Sequence, residues 1–211
     1  MTVAFEARLA HRQVLLLQDG QTLLSLPLDR GGRYRLVVPD MASIDAAVVA
    51  LEALPDVAVL PADGGLLGAM SVSANLSLAL RYGREPDTFK LSEWEHKLQL
   101  AFRLCGVSED RLPGLGREQP MRLDRMERWR VGFVLQLMRP SELLVLDRAF
   151  NGLSRGQAEV VIALESVYHE FHPFRPTLFV DLDAHGLPDL PQCHATAVLG
   201  AESPEVQTCP S

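Results

Sequence analysis

Ser141-Glu142-Leu143-Leu144-Val145-Leu146-Asp147-Arg148-Ala149-Phe150-Asn151-Gly152-Leu153 is the stretch on which the fold of this chain turns. Four apolar residues run into an aspartate, so a short buried strand over 143–146 delivers one carboxylate to its C-terminal end. Residues 152–156 read as a turn and helix start, and 155–171 as a strong helix. Strand, turn and helix then give way to a further strand over 176–182 and a last one over 196–199.

The same alternation extends upstream. Residues 34–38 form a short strand broken by Pro39-Asp40, and 41–54 have helical composition with Asp40 placed to cap them. Residues 57–60 are a second short apolar strand, and 61–65 a loop. An amphipathic region over 72–82 and helices over 91–104 and 124–138 form a helical lobe, about 70–138, with Trp129 and Phe133 as core. Ahead of all this, polar and apolar residues alternate over 3–8, 14–17 and 23–28, with Asp19-Gly20 and Gly31-Gly32 as turns, which reads as antiparallel β-structure. The expectation is one α/β domain over 1–200, built on a mostly parallel sheet flanked by helices, and a polar tail over 201–211 that frays.

Composition narrows the function. With 47% hydrophobic and 22% charged residues, 211 residues bury a full core. No apolar run approaches the roughly 18 residues of a membrane span. Glu6, Arg8, His11 and Arg12 interrupt the start where a signal peptide needs an apolar stretch, so a cytosolic chain is expected. Cys105, Cys193 and Cys209 are odd in number and widely spaced, which argues for reduced thiols over a disulfide framework or a metal site. A net charge of -7 argues against broad nucleic-acid binding, although a local basic patch remains open.

In this register, residues 141–153 resemble the Walker B and D-loop segment of the ATP-hydrolysing subunits of ABC transporters, where four apolar residues precede Asp, Glu and Pro. Residues 123–131 fall on that family's signature and following helix, with Arg128, Arg130 and Val131 in step and Pro140 opening the approach to residues 141–153. Met70-Ser71-Val72-Ser73-Ala74-Asn75-Leu76 is similar to the segment after its Q-loop. Residues 31–46 lie on its phosphate-loop segment, with Pro39 in the place of a common proline. The resemblance implies a P-loop-NTPase-like fold of the ABC ATPase type.

It also implies lost chemistry. A phosphate loop G-x-x-x-x-G-K-[ST] uses glycines to bring backbone N–H groups to phosphate, a lysine for the terminal phosphates and a hydroxyl for Mg²⁺. The corresponding positions hold Val38, Met41 and Ser43 for glycines, Ile44 for lysine and Asp45 for the hydroxyl. The last two changes shift local charge by about two units, each worth roughly 4 kcal/mol at about 4 Å with an effective dielectric near 20. Arg148 replaces the glutamate after Asp147, Ala62 the Q-loop glutamine, Leu182 the switch histidine, Ser154 the D-loop aspartate, and Asp124-Arg125-Met126 the Ser-Gly-Gly of the signature. The interval from Asp45 to Ala62 is also shorter than in the family, which carries extra strands beside the nucleotide.

The resemblance therefore implies a catalytically inactive ABC-ATPase-like subunit, without catalytic residues, cofactor or metal, serving as a scaffold or regulatory partner. Its partner would be a transporter permease or a competent ATPase subunit in a homo- or heterodimer, met at the inner face of the membrane. Leu66, Leu67, Met70 and Val72 read either as core or as the border of the groove that receives a permease helix in that family. An ion pair from Arg148 to Asp45 or Asp147 is expected to fill the emptied site. The alternative within the family is an ATPase working through a composite site.

Other signals have plainer readings beside sharper ones. Gly152-Leu153-Ser154-Arg155-Gly156 matches a serine-hydrolase elbow followed by Asp183 and His194, but Ser154 does not directly follow a strand. Asp181, Asp183 and His185 alternate as metal ligands could, or as a polar strand end. His169 and His172 suit the C-terminal surface of a helix. Arg122, Arg125, Arg128 and Arg130 form either a phosphate-binding patch or a salt-bridged solvated face with Asp124 and Glu127.

Overall fold

The alternating segments at the start fold as expected, into strands β1 (Phe5–Ala10), β2 (Gln13–Gln18) and β3 (Gln21–Pro27), antiparallel in the order β1-β2-β3. Both hairpin loops have two residues at positive φ, His11-Arg12 and Asp19-Gly20, the turn geometry that matches the strands' right-handed twist. The structure, a computed structural model, describes residues 5–81, 91–139, 141–182, 193–199 and 205–208.

A second sheet contains β4 (Arg33–Val38), β5 (Val57–Leu60), β6 (Leu143–Asp147), β7 (Thr177–Leu182), β8 (Ala195–Val198) and β9 (Glu205–Thr208) in the order β5-β6-β7-β4-β8-β9. All pairs are parallel except β8 with β9. The tail expected to fray thus contributes a strand at 205–208. Its pairing satisfies backbone groups that β8 would otherwise expose as an edge, a gain that the polar composition of the tail did not signal.

The two faces of this sheet differ. Tyr34, Leu36 and Val38 of β4 lie with Val145, Leu178 and Val180 in an apolar cluster that also takes Ile44, Ala47 and Leu51 of helix α1 (Met41–Glu52) and Val14, Leu16 and Leu26 of the antiparallel sheet. The alternate residues face helix α6 (Arg155–Phe171). There Glu165, fully buried, accepts hydrogen bonds from Arg33 Nε (2.9 Å) and Thr177 Oγ1 (2.6 Å) and pairs with His169 Nε2 (2.8 Å); Arg33 Nη2 also contacts it. His169, in the last turn of α6 as its spacing suggested and 22% exposed, also joins this network from its partly buried side. At the same end Gly31 adopts φ +67°, and a Cβ there would collide with the Pro173 carbonyl oxygen, so Gly31 is required by space as well as by conformation.

Residues 63–140 form a separate compact unit, which contains the expected helical lobe. It comprises α2 (Val72–Arg81), α3 (Leu91–Leu104), the short α4 (Leu112–Arg117), a 3₁₀ turn at Pro120–Arg122 and α5 (Arg125–Met138). Trp129 and Phe133 stack with centroids 5.1 Å apart in its core. Among the described residues no helix is long and apolar enough to cross a membrane.

The Glu165 network carries a pH dependence. Burial pushes its pKa up, but hydrogen bonds from His169 and Arg33, with their charges, more than reverse this and hold it below the usual 4.5. A carboxylate whose pKa is depressed by folding stabilises fully above its unfolded pKa and loses that contribution as pH falls through the folded value. Glu165→Gln should lower stability at pH 7 and flatten the acid limb below about 4.5, read by urea unfolding across pH; an unchanged acid limb would show that Glu165 is not its source.

Candidate functional site

Ligands of open α/β sheets sit beyond the C-terminal ends of the strands, where here β4 ends at Val38, β6 at Asp147 and β7 at Leu182. Only Pro39 and Asp40 separate β4 from α1. Met41, Ala42 and Ser43 are already helical, so this connection has no extended loop to wrap around a ligand. Asp40 accepts a hydrogen bond from the Ser43 N–H at 2.8 Å, and that N–H holds its pKa below the ordinary aspartate value. The helix N-terminus, with its partial positive charge, is thus occupied by a carboxylate of the chain itself.

The positions of the phosphate-loop register separate by burial. Ser43 and Ile44 are buried, Ile44 completely and within the apolar cluster under α1. Met41 and Asp45 are exposed. Val38 is buried and pairs in register with Leu182, which also packs against the apolar cluster. Ala62 lies half-buried two residues beyond β5.

Arg148 brings two of these elements together. Its Nη1 donates to Asp45 Oδ1 at 3.1 Å and its Nη2 to Asp147 Oδ2 at 2.8 Å, joining α1 to the end of β6. Asp147 is only 2% exposed, so its charge needs this partner, whereas Asp45 is largely solvated and adds less. The Arg148 backbone is held at φ +51°, with its N–H bonded to the Val180 carbonyl oxygen at 2.9 Å. A side-chain-bearing residue in that region costs roughly 1–2 kcal/mol, so the bridge coincides with local strain. Beside it, Asp181 is buried and pushed up to about 7: burial is the main cause, Arg35 and the Phe150 N–H oppose it, and Asp147 adds to it. Asp181 lies near the end of β7, the polar strand end that was one of its two sequence readings.

The structure reorders the remaining sequence candidates. Ser154, beyond the C-terminal end of β6, caps α6 through Gln157, whereas His194 immediately precedes β8 beside Gly32, at the opposite end of the parallel strands. Ser154 and His194 therefore form no catalytic pair, and Asp183, with His185, lies outside the described residues. No group of three His, Cys, Asp or Glu side chains among the described residues could hold a metal. In the helical unit, Asp124 caps α5 in a reciprocal box with Glu127, with Arg125 and Met126 in the first turn. The salt-bridged face expected of the arginine run is instead organised by Arg111, which pairs with Glu118 and Glu127. Arg128 Nη1 donates to the Leu123 carbonyl oxygen at 2.6 Å.

Of the partner-surface candidates, Leu67 is exposed and Leu66 and Met70 are half-buried, but Val72 is fully buried and belongs to the core. A helical first turn can point a side chain inward even when the segment before it is exposed, which the linear pattern could not resolve. Asn75 explains the shape of this segment: its Oδ1 accepts from the Leu67 N–H at 2.8 Å, and its Nδ2 donates to the Leu67 and Ser71 carbonyl oxygens.

With this geometry in hand, the likeness to solved structures is direct. The fold is that of an ATP-binding cassette. The chain resembles the ATP-binding cassette MJ0796 in a dimeric post-hydrolysis state bound to ADP and Pi, with a TM-score of 0.62, 11% identity and coverage of 96% of this chain and 97% of the other. It is similar also to a dimeric structure of MJ0796 described as a bacterial ABC transporter cassette, with a TM-score of 0.60, 10% identity and 93% coverage of both chains. No protein-family model and no curated protein matches the chain in sequence.

Removing the bridge should cost stability. Arg148→Ala leaves Asp147 buried without its cation, an effect of about 2 kcal/mol after discounting for the exposure of the bridge. Arg148→Gly also loses the bridge but accepts the positive φ, and should exceed the alanine variant by about 1 kcal/mol. Chemical denaturation of both variants checks the pair; equal stabilities would show that the backbone at 148 is unstrained.

Proposed function

We propose that this chain is a cassette-like subunit without nucleotide chemistry, acting as a scaffold or regulatory partner of a membrane transporter. The observation that carries the proposal is the Arg148 bridge between Asp45 and Asp147 beside a two-residue turn. A triphosphate at this place would meet the Asp40 carboxylate at the helix N-terminus and an exposed Asp45. It would find an aliphatic side chain, Ile44, turned into the core at the register of the lysine. Arg148 is already engaged by two carboxylates, and drawing it to a phosphate would break its pairing with the buried Asp147. A general base at position 148 is likewise replaced by a group that stays protonated.

The role that remains is binding. A permease or a competent ATPase subunit is the partner that the fold suggests, in a homo- or heterodimer, with the chain reaching the inner face of the membrane through it. Leu66, Leu67 and Met70 form the candidate contact segment, pinned from behind by Asn75. In the signature register Asp124 is committed to capping α5 and brings negative charge, so the chain is proposed not to complete a partner's nucleotide site.

Isothermal titration of Mg-ATP into the purified chain tests this reading. The expected result is no saturable heat at millimolar nucleotide, a binding free energy weaker than about -4 kcal/mol. Micromolar affinity, about -8 kcal/mol, would overturn the proposal and favour an ATP-binding subunit working in a composite site.

A further inference from the structure

Beneath the turn that joins β6 to α6, Asp181 of β7 is 3% exposed and poorly satisfied. Its Oδ1 accepts one hydrogen bond, from the Phe150 N–H at 3.5 Å, longer than the roughly 2.7–3.2 Å of an ordinary N–H···O bond. Its Oδ2 is occluded from solvent and has no hydrogen-bond partner. A buried carboxylate that stays ionised is held by several donors or by an adjacent cation. A single distant N–H fits the neutral acid instead.

A cation stands within reach and is not engaged. Arg35 of β4 pairs in register with Phe179, and Asp181 with Val37, so Arg35 and Asp181 share one face of adjacent strands. Arg35 is half-buried, its Nε is likewise occluded without a partner, and no ion pair joins it to Asp181. Burial pushes the Asp181 carboxyl up to about 7; Arg35 and the Phe150 N–H draw it back, and the Asp147 charge adds to the rise. The other charged groups around it have partners. Asp147 is paired with Arg148, which reaches on to Asp45. On α6, Arg155 pairs with Glu159, and Glu165 is held by Arg33 and His169 at the far end of the face. Cys193, ahead of β8, is raised by burial and feels Arg33 and then Arg35. Asp183 lies outside the described residues.

We propose that Asp181 is a proton-operated latch between the sheet and the turn over 148–153. Neutral, it leaves Arg35 disengaged and the Phe150 contact long, as in this structure. On losing its proton to solvent, the carboxylate draws Arg35 across from β4 into an ion pair and shortens the contact to the Phe150 N–H. The turn on which it acts holds Arg148 at φ +51° and stacks the Phe150 ring on Phe179 with centroids 5.1 Å apart. Protonation thus bears on the backbone that presents the Arg148 bridge. The latch uses only the chain's own groups and requires neither nucleotide nor partner, so it and the proposed function stand or fall separately.

The test is a pH titration of the full chain, labelled with ¹³C and ¹⁵N, followed by NMR from about pH 5 to about pH 9. The Asp181 Cγ resonance should titrate with a midpoint near 7. The Phe150 amide and the Arg35 Nε–Hε resonances should move with the same midpoint, the amide proton downfield as its hydrogen bond shortens. Arg35→Gln removes the opposing cation and should raise the Asp181 midpoint by about one pH unit. Asp181→Asn should abolish the shifts at Phe150 and Arg35. A Cγ midpoint near the ordinary aspartate value of 3.8 would overturn the latch. So would Phe150 and Arg35 resonances that do not follow Cγ, or shifts that persist in Asp181→Asn. Should Asp181→Asn fail to fold, the wild-type titration and Arg35→Gln decide the matter.

Discussion

A guanidinium shared between a buried and an exposed carboxylate organises the C-terminal end of this sheet. Asp147 leaves a fully apolar strand with its charge almost out of reach of solvent, and an interior charge persists only with a partner. Arg148 supplies that partner from the next position in the chain, at the expense of a left-handed backbone, and extends the contact to Asp45 on α1. The two-residue connection from β4 to α1 follows the same logic, because a helix capped by its own Asp40 needs no external anion. Each local solution satisfies the chain from within.

The sheet supports this arrangement by separating its two faces. One face is a continuous apolar core shared with α1 and the antiparallel sheet, and it fixes Ile44 inward and hence Asp45 outward. The other carries Arg33, Thr177 and Asp181 toward α6, with Glu165 tying the near end together. Arg33 and Arg35 alternate with Tyr34 and Leu36 along β4, and Asp181 stands between Val180 and Leu182 in β7, so a shift of one residue in pairing would turn charged side chains toward the apolar cluster. The register of the sheet and the disposition of the charged site are therefore one constraint.

Much of this was legible in the residues. The apolar run ending at Asp147, the cap at Asp40 and the alternating strands before residue 28 located most elements because burial pattern and capping are local properties. The Arg148 bridge was legible as well, since a buried aspartate followed by arginine has few ways to be satisfied. What lay beyond sequence was three-dimensional. Val72, open in sequence between a groove and the core, belongs to the core, and the helix-end His169 also reaches the buried Glu165. The hydrolase pattern failed because Ser154 follows the C-terminal end of β6 while His194 precedes the N-terminal end of the parallel β8, which spacing does not reveal. The strand at 205–208 was missed because its stabilisation comes from the β8 edge it covers rather than from its own composition. The Arg111 bridges were missed because Glu118 and Glu127 reach it through tertiary packing.

Whether the Arg148 bridge holds in the presence of nucleotide is decided by a crystal grown with Mg²⁺ and a non-hydrolysable ATP analogue. The expected result is the Arg148 guanidinium still lodged between Asp45 and Asp147, with no nucleotide over Pro39-Asp40. A triphosphate seated on that turn, with Arg148 swung away to meet it, would refute the proposed loss of nucleotide chemistry.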